Sequence, residues 1–181
     1  MKKTEVVLKN GEIVIGDEFD LQDYEELKGI FKQWININKK LKSLGGRGLN
    51  VPDVFSEALF CIFFDSVRTN NTAYSYDCVD KKTGAGIQIK SASIKYDLTS
   101  FGPKSTWDEI YYVDFAPNGK IDGNVYFYKL DYDIKSIVLN NSKGETFGDQ
   151  QAQGRRPRFS IKRTIIIPEG LEPIKKINLN E

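Results

Sequence analysis

The segment YSYDCVDKKTGAGIQIKSAS (74–93) decides how this chain folds. Two β-prone runs flank Lys81–Gly84, a polar tetrapeptide ending in glycine, so the segment reads as a β-hairpin with strands over 74–80 and 85–93. With Lys81–Gly84 as the turn, Asp80 pairs with Ala85, and the ladder continues to set Asp77 opposite Gln88. Side chains alternate along a strand, so Lys90 shares the face of Gln88 while Ile87 and Ile89 point the other way into a core. One strand pair therefore presents Asp77, Gln88 and Lys90 together on a face expected to meet solvent. Asp80 projects to the opposite face and is excluded from that group.

Upstream, apolar residues at Leu21, Tyr24, Leu27, Phe31, Trp34, Ile35, Leu41 and Leu44 follow a helical period, with Asp20 as N-cap and Gly45-Gly46 as the stop. Pro52-Asp53 then opens a second helix expected to run to about Val67, apolar on nearly every side and therefore buried. The first sixteen residues carry two apolar runs around Asn10-Gly11, consistent with a short hairpin or an extended arm. Downstream, the strand candidates are IYYVDF (110–115), NVYFYKL (124–130), IKSIVL (134–139) and FSIKRTIII (159–167), with a polar stretch over 140–154. Helices first and strands after predict an α/β fold, a central mixed sheet flanked by helices, in one domain over 1–181.

Composition narrows the chemistry. The 181 residues are 40% apolar and 28% charged, an ordinary globular balance, and the longest apolar stretch (54–64) is too short to cross a bilayer. The N-terminus lacks the apolar region of a secretory signal, and a cytoplasmic location is expected. Cys61 and Cys78 read as core thiols. There is no histidine, which removes Ser-His and Cys-His nucleophile pairs and histidine metal sites, so any bound metal must use hard oxygen ligands, as Mg²⁺ does.

Net charge is only +1, but four of the six arginines, Arg155, Arg156, Arg158 and Arg163, lie with Lys162 in RRPRFSIKR, a window without an acid. Guanidinium forks suit phosphates and guanine edges, so this cluster resembles a DNA-reading surface; the plainer alternative is a basic, solubilising strand end. The loop SFGPKS, with Ser100 and Lys104, is suited to grip a phosphate or merely to connect two strands. Trp107 and the nearby tyrosines read as core, and Gln150 and Gln151 as part of a polar loop.

Glu57 interrupts an apolar helix, where an unpaired carboxylate would cost several kcal/mol to bury, so it needs a partner or must reach solvent. A cation held by Asp77, the Ile89 carbonyl and waters, with Glu57 nearby, would satisfy it. Such a constellation is what phosphodiester hydrolysis by a metal-activated water requires, with Lys90 orienting the water and stabilising the transition state.

Glu57, Asp77 and Gln88-Ile89-Lys90 resemble the active site of the PD-(D/E)XK nucleases, the restriction-endonuclease-like fold, in the variant where Gln replaces the second acid. GRGLNVPDVFSEALF (46–60), residues 87–115 and QGRRPRFSIKR (153–163) are similar to type II restriction endonucleases, above all the small enzymes that recognise GCNGC. This resemblance implies Mg²⁺-dependent cleavage of both strands of double-stranded DNA by a homodimer, and a cognate DNA methyltransferase acting on the same site. Glu57, Asp77, Gln88 and Lys90 would be catalytic, and Asp77, Glu57 and Ile89 would be the metal ligands. Arg155, Arg156, Arg158, Lys162, Arg163, Lys104, Ser100, Arg47 and Asn50 would contact DNA, and the helix over 20–44 is the candidate dimer element. A structure-specific nuclease such as a junction resolvase, or a non-catalytic DNA-binding protein of this fold, are the competing readings; retention of Asp77, Lys90 and Glu57 speaks against the latter.

Overall fold

A computed structural model describes residues 1–46, 48–69 and 75–181. The elements run β1 (Lys2–Val7), β2 (Ile13–Glu18), α1 (Leu21–Ser43), α2 (Asp53–Phe63), β3 (Ser66–Thr69), β4 (Cys78–Asp80), β5 (Gly86–Ala92), β6 (Thr99–Ser100), β7 (Glu109–Asp114) and β8 (Asn124–Lys129). A 3₁₀ turn (Ile134–Ser136), β9 (Val138–Asn140), β10 (Glu145–Thr146), α3 (Phe147–Ala152), β11 (Arg158–Phe159), a π-helical turn (Lys162–Ile166) and β12 (Lys175–Asn178) follow. Eight strands form one mixed sheet in the order β1-β2-β3-β4-β5-β7-β8-β12, in which β5 and β7 pair in parallel and the other neighbours are antiparallel.

Alternation of side chains gives the central strands two buried faces. Ile87 and Ile89 of β5, Tyr111 and Val113 of β7, and Val125 and Phe127 of β8 pack under α1 and α2. The opposite face, with Ala92, Ile110, Tyr112 and Tyr128, is covered by Phe101, Phe147, Phe159 and the isoleucines of the π-helical turn. This is the expected α/β arrangement of a mixed sheet flanked by helices, and the restriction-endonuclease-like core is consistent with it. Among the described residues no helix is long and apolar enough to cross a membrane.

Local chemistry accounts for the helix ends. Asp20 caps α1 by accepting the N–H groups of Gln22 and Asp23 at 2.8 and 3.1 Å, while Asp23 returns a bond to the Asp20 amide, a reciprocal box that satisfies otherwise unpaired amides. Gly45 closes the helix at φ 78°, in the left-handed region that favours glycine. The second helix ends earlier than its apolar run suggests: Asp65 turns to φ 46°, and Val67, fully buried, belongs to β3. The N-terminal hairpin forms around Asn10-Gly11 with Val7 opposite Ile13. Cys61 and Cys78 are buried core thiols, with their Sγ atoms 3.5 Å apart.

Three further segments depart from expectation. IKSIVL divides into the 3₁₀ turn and β9, and the polar stretch contains α3, capped by Thr146. FSIKRTIII is not a strand beyond Phe159. Its alternating apolar residues fit a strand, but Ile161, Ile165 and Ile166 are buried together while Ile167 is 54% exposed, which only a helical turn achieves. Lys162 fastens that turn: its ammonium donates to Asp114 Oδ2 at 2.6 Å and to the carbonyls of Pro117 and Ala116 at 3.0 and 3.4 Å, and Asp114 is fully buried.

Lys162→Met leaves the Asp114 charge buried without its cation and should cost about 3–5 kcal/mol of stability. At roughly 2–4 °C per kcal/mol for a chain of this size, thermal denaturation should report a fall on the order of 10 °C. A fall of about 1 °C would show that water screens the pair.

Candidate active site

The hairpin register is the one that the four-residue turn dictates. Cys78 pairs with Ile87 and Val79 with Gly86, and the Asp80 amide donates to the Ala85 carbonyl at 3.1 Å. Gly84 adopts φ 67°, and a Cβ there would lie 2.3 Å from the Val7 carbonyl oxygen, so the turn needs glycine twice over. The carboxylate of Asp80 is consumed locally by the amides of Lys82 and Thr83. Only Cys78–Asp80 of the first run is regular strand, and Tyr74 lies outside the described residues.

Just before β4, Asp77 Oδ2 accepts the Ile89 amide at 2.7 Å and a bond from the Gln88 side-chain amide. Asp77 and Gln88 therefore meet directly. Lys90, two residues further along β5, holds its ammonium 5.3 Å from the centre of the Phe101 ring. The expectation that this face is solvent-facing is corrected: Phe101 and its neighbours cover the sheet here, and Gln88 is 3% exposed. A sheet with a parallel pair at its centre has both faces packed, so the polar trio lies in a recess of the second core.

Burial sets the electrostatics. It pushes the Asp77 carboxyl from the ordinary 3.8 up to about 6, opposed by the Ile89 N–H and aided by the negative charge of Glu57. It lowers Lys90, against the pull of Asp77, Asp53 and Glu57. Glu57, on the second turn of α2, is 8% exposed, so it does not reach solvent, and burial raises its carboxyl despite an Arg68 guanidinium whose Nε lies 2.5 Å from Oε2. The partner that Glu57 requires within the chain is thus Arg68 of β3. Sequence reading missed Arg68; the signal was an arginine shortly after a helix carrying a buried acid. Asp53, read from the sequence only as the opening of α2, also acts on the site: its charge is felt by Asp77, Glu57 and Lys90.

The residues expected to touch DNA separate into groups. Ser100 and Arg158 are directly paired in the β6–β11 ladder, the Phe101 amide donates to the Pro157 carbonyl at 3.0 Å, and Gln151 donates to the Gly102 carbonyl at 2.8 Å. The loop with Ser100 and Lys104 and the arginine segment thus form one unit. The charge of Arg156 reaches Lys90, which sets this unit beside the catalytic candidates. Arg156, Arg158, Arg163, Lys104 and Asn50 are exposed, whereas Arg155 is ion-paired with Glu145. Lys162 is corrected: it is 7% exposed, and its ammonium belongs to Asp114. Arg47 lies outside the described residues. Trp107, expected in the core, packs against Phe101 at the edge of the second core and is half-buried.

Among the described residues no three carboxylates or thiols stand close enough to form a ready metal cage. Asp77, Glu57 and the Ile89 carbonyl are hard oxygens of the kind Mg²⁺ takes, and the negative charges of Glu57 and Asp53 add to the upward shift of the Asp77 carboxyl.

Because the folded state raises the Asp77 pKa, the native protein binds its proton more tightly than the unfolded chain, so ionisation lowers stability as pH rises from about 4 to about 6. In metal-free buffer, Asp77→Asn should flatten that decline and be the more thermostable protein above the window. Parallel melting curves of the two proteins across it are the check; a constant offset would place Asp77 in a solvated setting.

The profile of the Bsp6I restriction endonuclease family matches residues 19–168. The chain is 34% identical over 166 residues to the type II restriction enzyme Bsp6I of Bacillus sp. (strain RFL6), covering 90% of this chain and 91% of that one. No solved structure matches it. The matched span contains the hairpin, α2 and the arginine segment, and the chain belongs to the Bsp6I restriction endonuclease family.

Proposed function

We propose that this protein is a Mg²⁺-dependent type II endonuclease with a PD-(D/E)XK site that cuts both strands of double-stranded DNA at a short palindromic GC-rich sequence, GCNGC. The observation that carries the reading is the convergence of Asp77, Gln88 and Lys90 on one hairpin, with Glu57 close enough to shift the Asp77 pKa, in a chain of a restriction endonuclease family.

Asp77 and the Ile89 carbonyl would hold the cation, with Glu57 beside them, because these are the hard oxygens that the fold gathers and they repel one another without it. A bound Mg²⁺ lowers the pKa of water and neutralises charge on the phosphate. Lys90, partly buried on the same strand, orients the attacking water and stabilises the charge that develops on the phosphate. Gln88 fixes the Asp77 carboxylate by donating its amide. Arg68 holds Glu57 in place at 2.5 Å.

Arg156 and Arg158 present guanidinium groups to solvent in the segment paired with Ser100, a surface suited to guanine edges and phosphates; Arg163, Lys104, Arg155 and Asn50 complete the proposed contacts. A palindrome calls for two copies related by a two-fold axis. The outer flank of α1 supports a homodimer: Ile30, Ile37 and Leu44, exposed at 48%, 49% and 76%, repeat every seven residues. Protection of host DNA implies a cognate methyltransferase acting on the same site, and both enzymes would work in the cytoplasm.

Purified protein incubated with plasmid DNA and Mg²⁺ should yield discrete bands whose ends sequence to one site; a smear, or cutting confined to branched DNA, overturns the reading. Asp77→Ala and Lys90→Ala should each abolish cleavage while specific binding stays within about tenfold, roughly 1.4 kcal/mol. Arg156→Ala or Arg158→Ala should weaken cognate binding far more than random binding, at ~1–3 kcal/mol for each lost bidentate contact. Equal losses on both duplexes would move base reading elsewhere.

A further inference from the structure

A second charged surface lies away from the arginine segment. Between the C-terminal half of α1 and the loops after β5 and β7 runs an open groove of about 490 Å³, joined to a neighbouring hollow of about 390 Å³ through shared residues that include Asn38, Lys42 and Ser93. Lys39, Lys42, Lys95 and Lys120 line it, and no Asp or Glu does among the described residues. All four are exposed and carry no ion pair among the described residues, whereas seven other lysines are paired within the protein. At about 100° per residue, Lys39 and Lys42 lie on the flank of α1 opposite Ile30 and Ile37, with the buried stripe between them.

The walls of the groove are built. Asn38, 7% exposed, accepts the Leu49 amide at 2.6 Å and donates to the Trp34 carbonyl at 3.2 Å, and the Trp34 indole donates to the Leu49 carbonyl at 3.2 Å. These bonds tie the loop before α2 to α1. Gly48 is required there, because a Cβ would stand 2.4 Å from Asn38 Oδ1. The opposite wall rests on the Lys162–Asp114 pair, whose ammonium also holds the carbonyls at the start of the Pro117–Ile121 loop. In sequence both walls continue segments of the candidate site: Asn50 precedes Asp53 by three residues, and Ser93 follows Lys90 by three.

We propose that this groove is the track of the DNA backbone beyond the scissile phosphate, with Lys39, Lys42, Lys95 and Lys120 contacting successive phosphates without reading sequence. The proposal rests on the endonuclease reading above and divides the labour of recognition. Four ammonium groups spread along an open trough fit an extended polyanion, where a small anion would need them to converge. Lysine is a flexible point charge suited to phosphate, while the forked donors that discriminate guanine sit in the arginine segment.

The test uses the full chain in metal-free buffer and titrates two short duplexes, one containing the site that the wild type cuts and one scrambled, across a series of salt concentrations. Lys42→Gln with Lys120→Gln, and separately Lys39→Gln with Lys95→Gln, should each weaken binding to both duplexes by the same factor, on the order of tenfold at low salt, and make the logarithmic salt slope shallower by about 2, near 0.9 for each lost phosphate contact. Lys143→Gln, an exposed lysine outside the groove, should leave the slope unchanged. Groove variants with the wild-type slope, or with losses confined to the cognate duplex, overturn the phosphate track. A wild type that cuts its site while the groove variants keep their slope sinks the track alone; a wild type that cuts no duplex DNA with Mg²⁺ present sinks both readings.

Discussion

The Asp77 carboxylate stands where the β4–β5 ladder stops. At Cys78 and Ile87 the two strands still pair, and beyond them the Ile89 amide would be left without an acceptor had Asp77 not supplied one. A buried amide demands such a partner, and a carboxylate gives a charge-assisted bond that a carbonyl cannot match. The same bond fixes the acid against Gln88 and, through the alternation of β5, sets its relation to Lys90. The site is therefore part of the sheet's own hydrogen bonding rather than a set of groups resting on a finished surface.

That placement has an electrostatic consequence. Because β5 and β7 pair in parallel and both faces are covered, the acid and the ammonium sit in a recess where burial raises one pKa and lowers the other. Asp53 and Glu57 add negative charge from the start of α2, and Arg68 offsets part of it. Acids and a lysine gathered in one recess offset one another, whereas either charge alone would be costly to bury.

The two basic surfaces of the molecule differ in kind. The arginine segment is locked to the Ser100 loop by the β6–β11 ladder and approaches Lys90 from the face covered by Phe101. The lysine groove runs along α1 and is braced by neutral hydrogen bonds from Asn38 and Trp34 and by the buried Lys162–Asp114 pair. Lys162, which by position belongs with the arginines, thus supports the groove wall from inside.

The hairpin register, α1 with its Asp20 cap, the core role of Ile87 and Ile89 and the meeting of Asp77 with Gln88 were legible in the sequence, because each follows from local periodicity and one turn of set length. Tertiary structure alone decided the rest. Residues 159–167 read as a strand by pattern, yet they form a helical turn in which Lys162 reaches the buried Asp114 of a distant strand. Arg68 became the partner of Glu57 only because β3 folds back beside α2. Lys90 is covered by Phe101, which packs against Phe147 and Phe159 from two later segments, an arrangement that no local spacing encodes. Periodicity tells which side of an element is apolar, but which element covers it is settled by contacts between residues far apart in the chain.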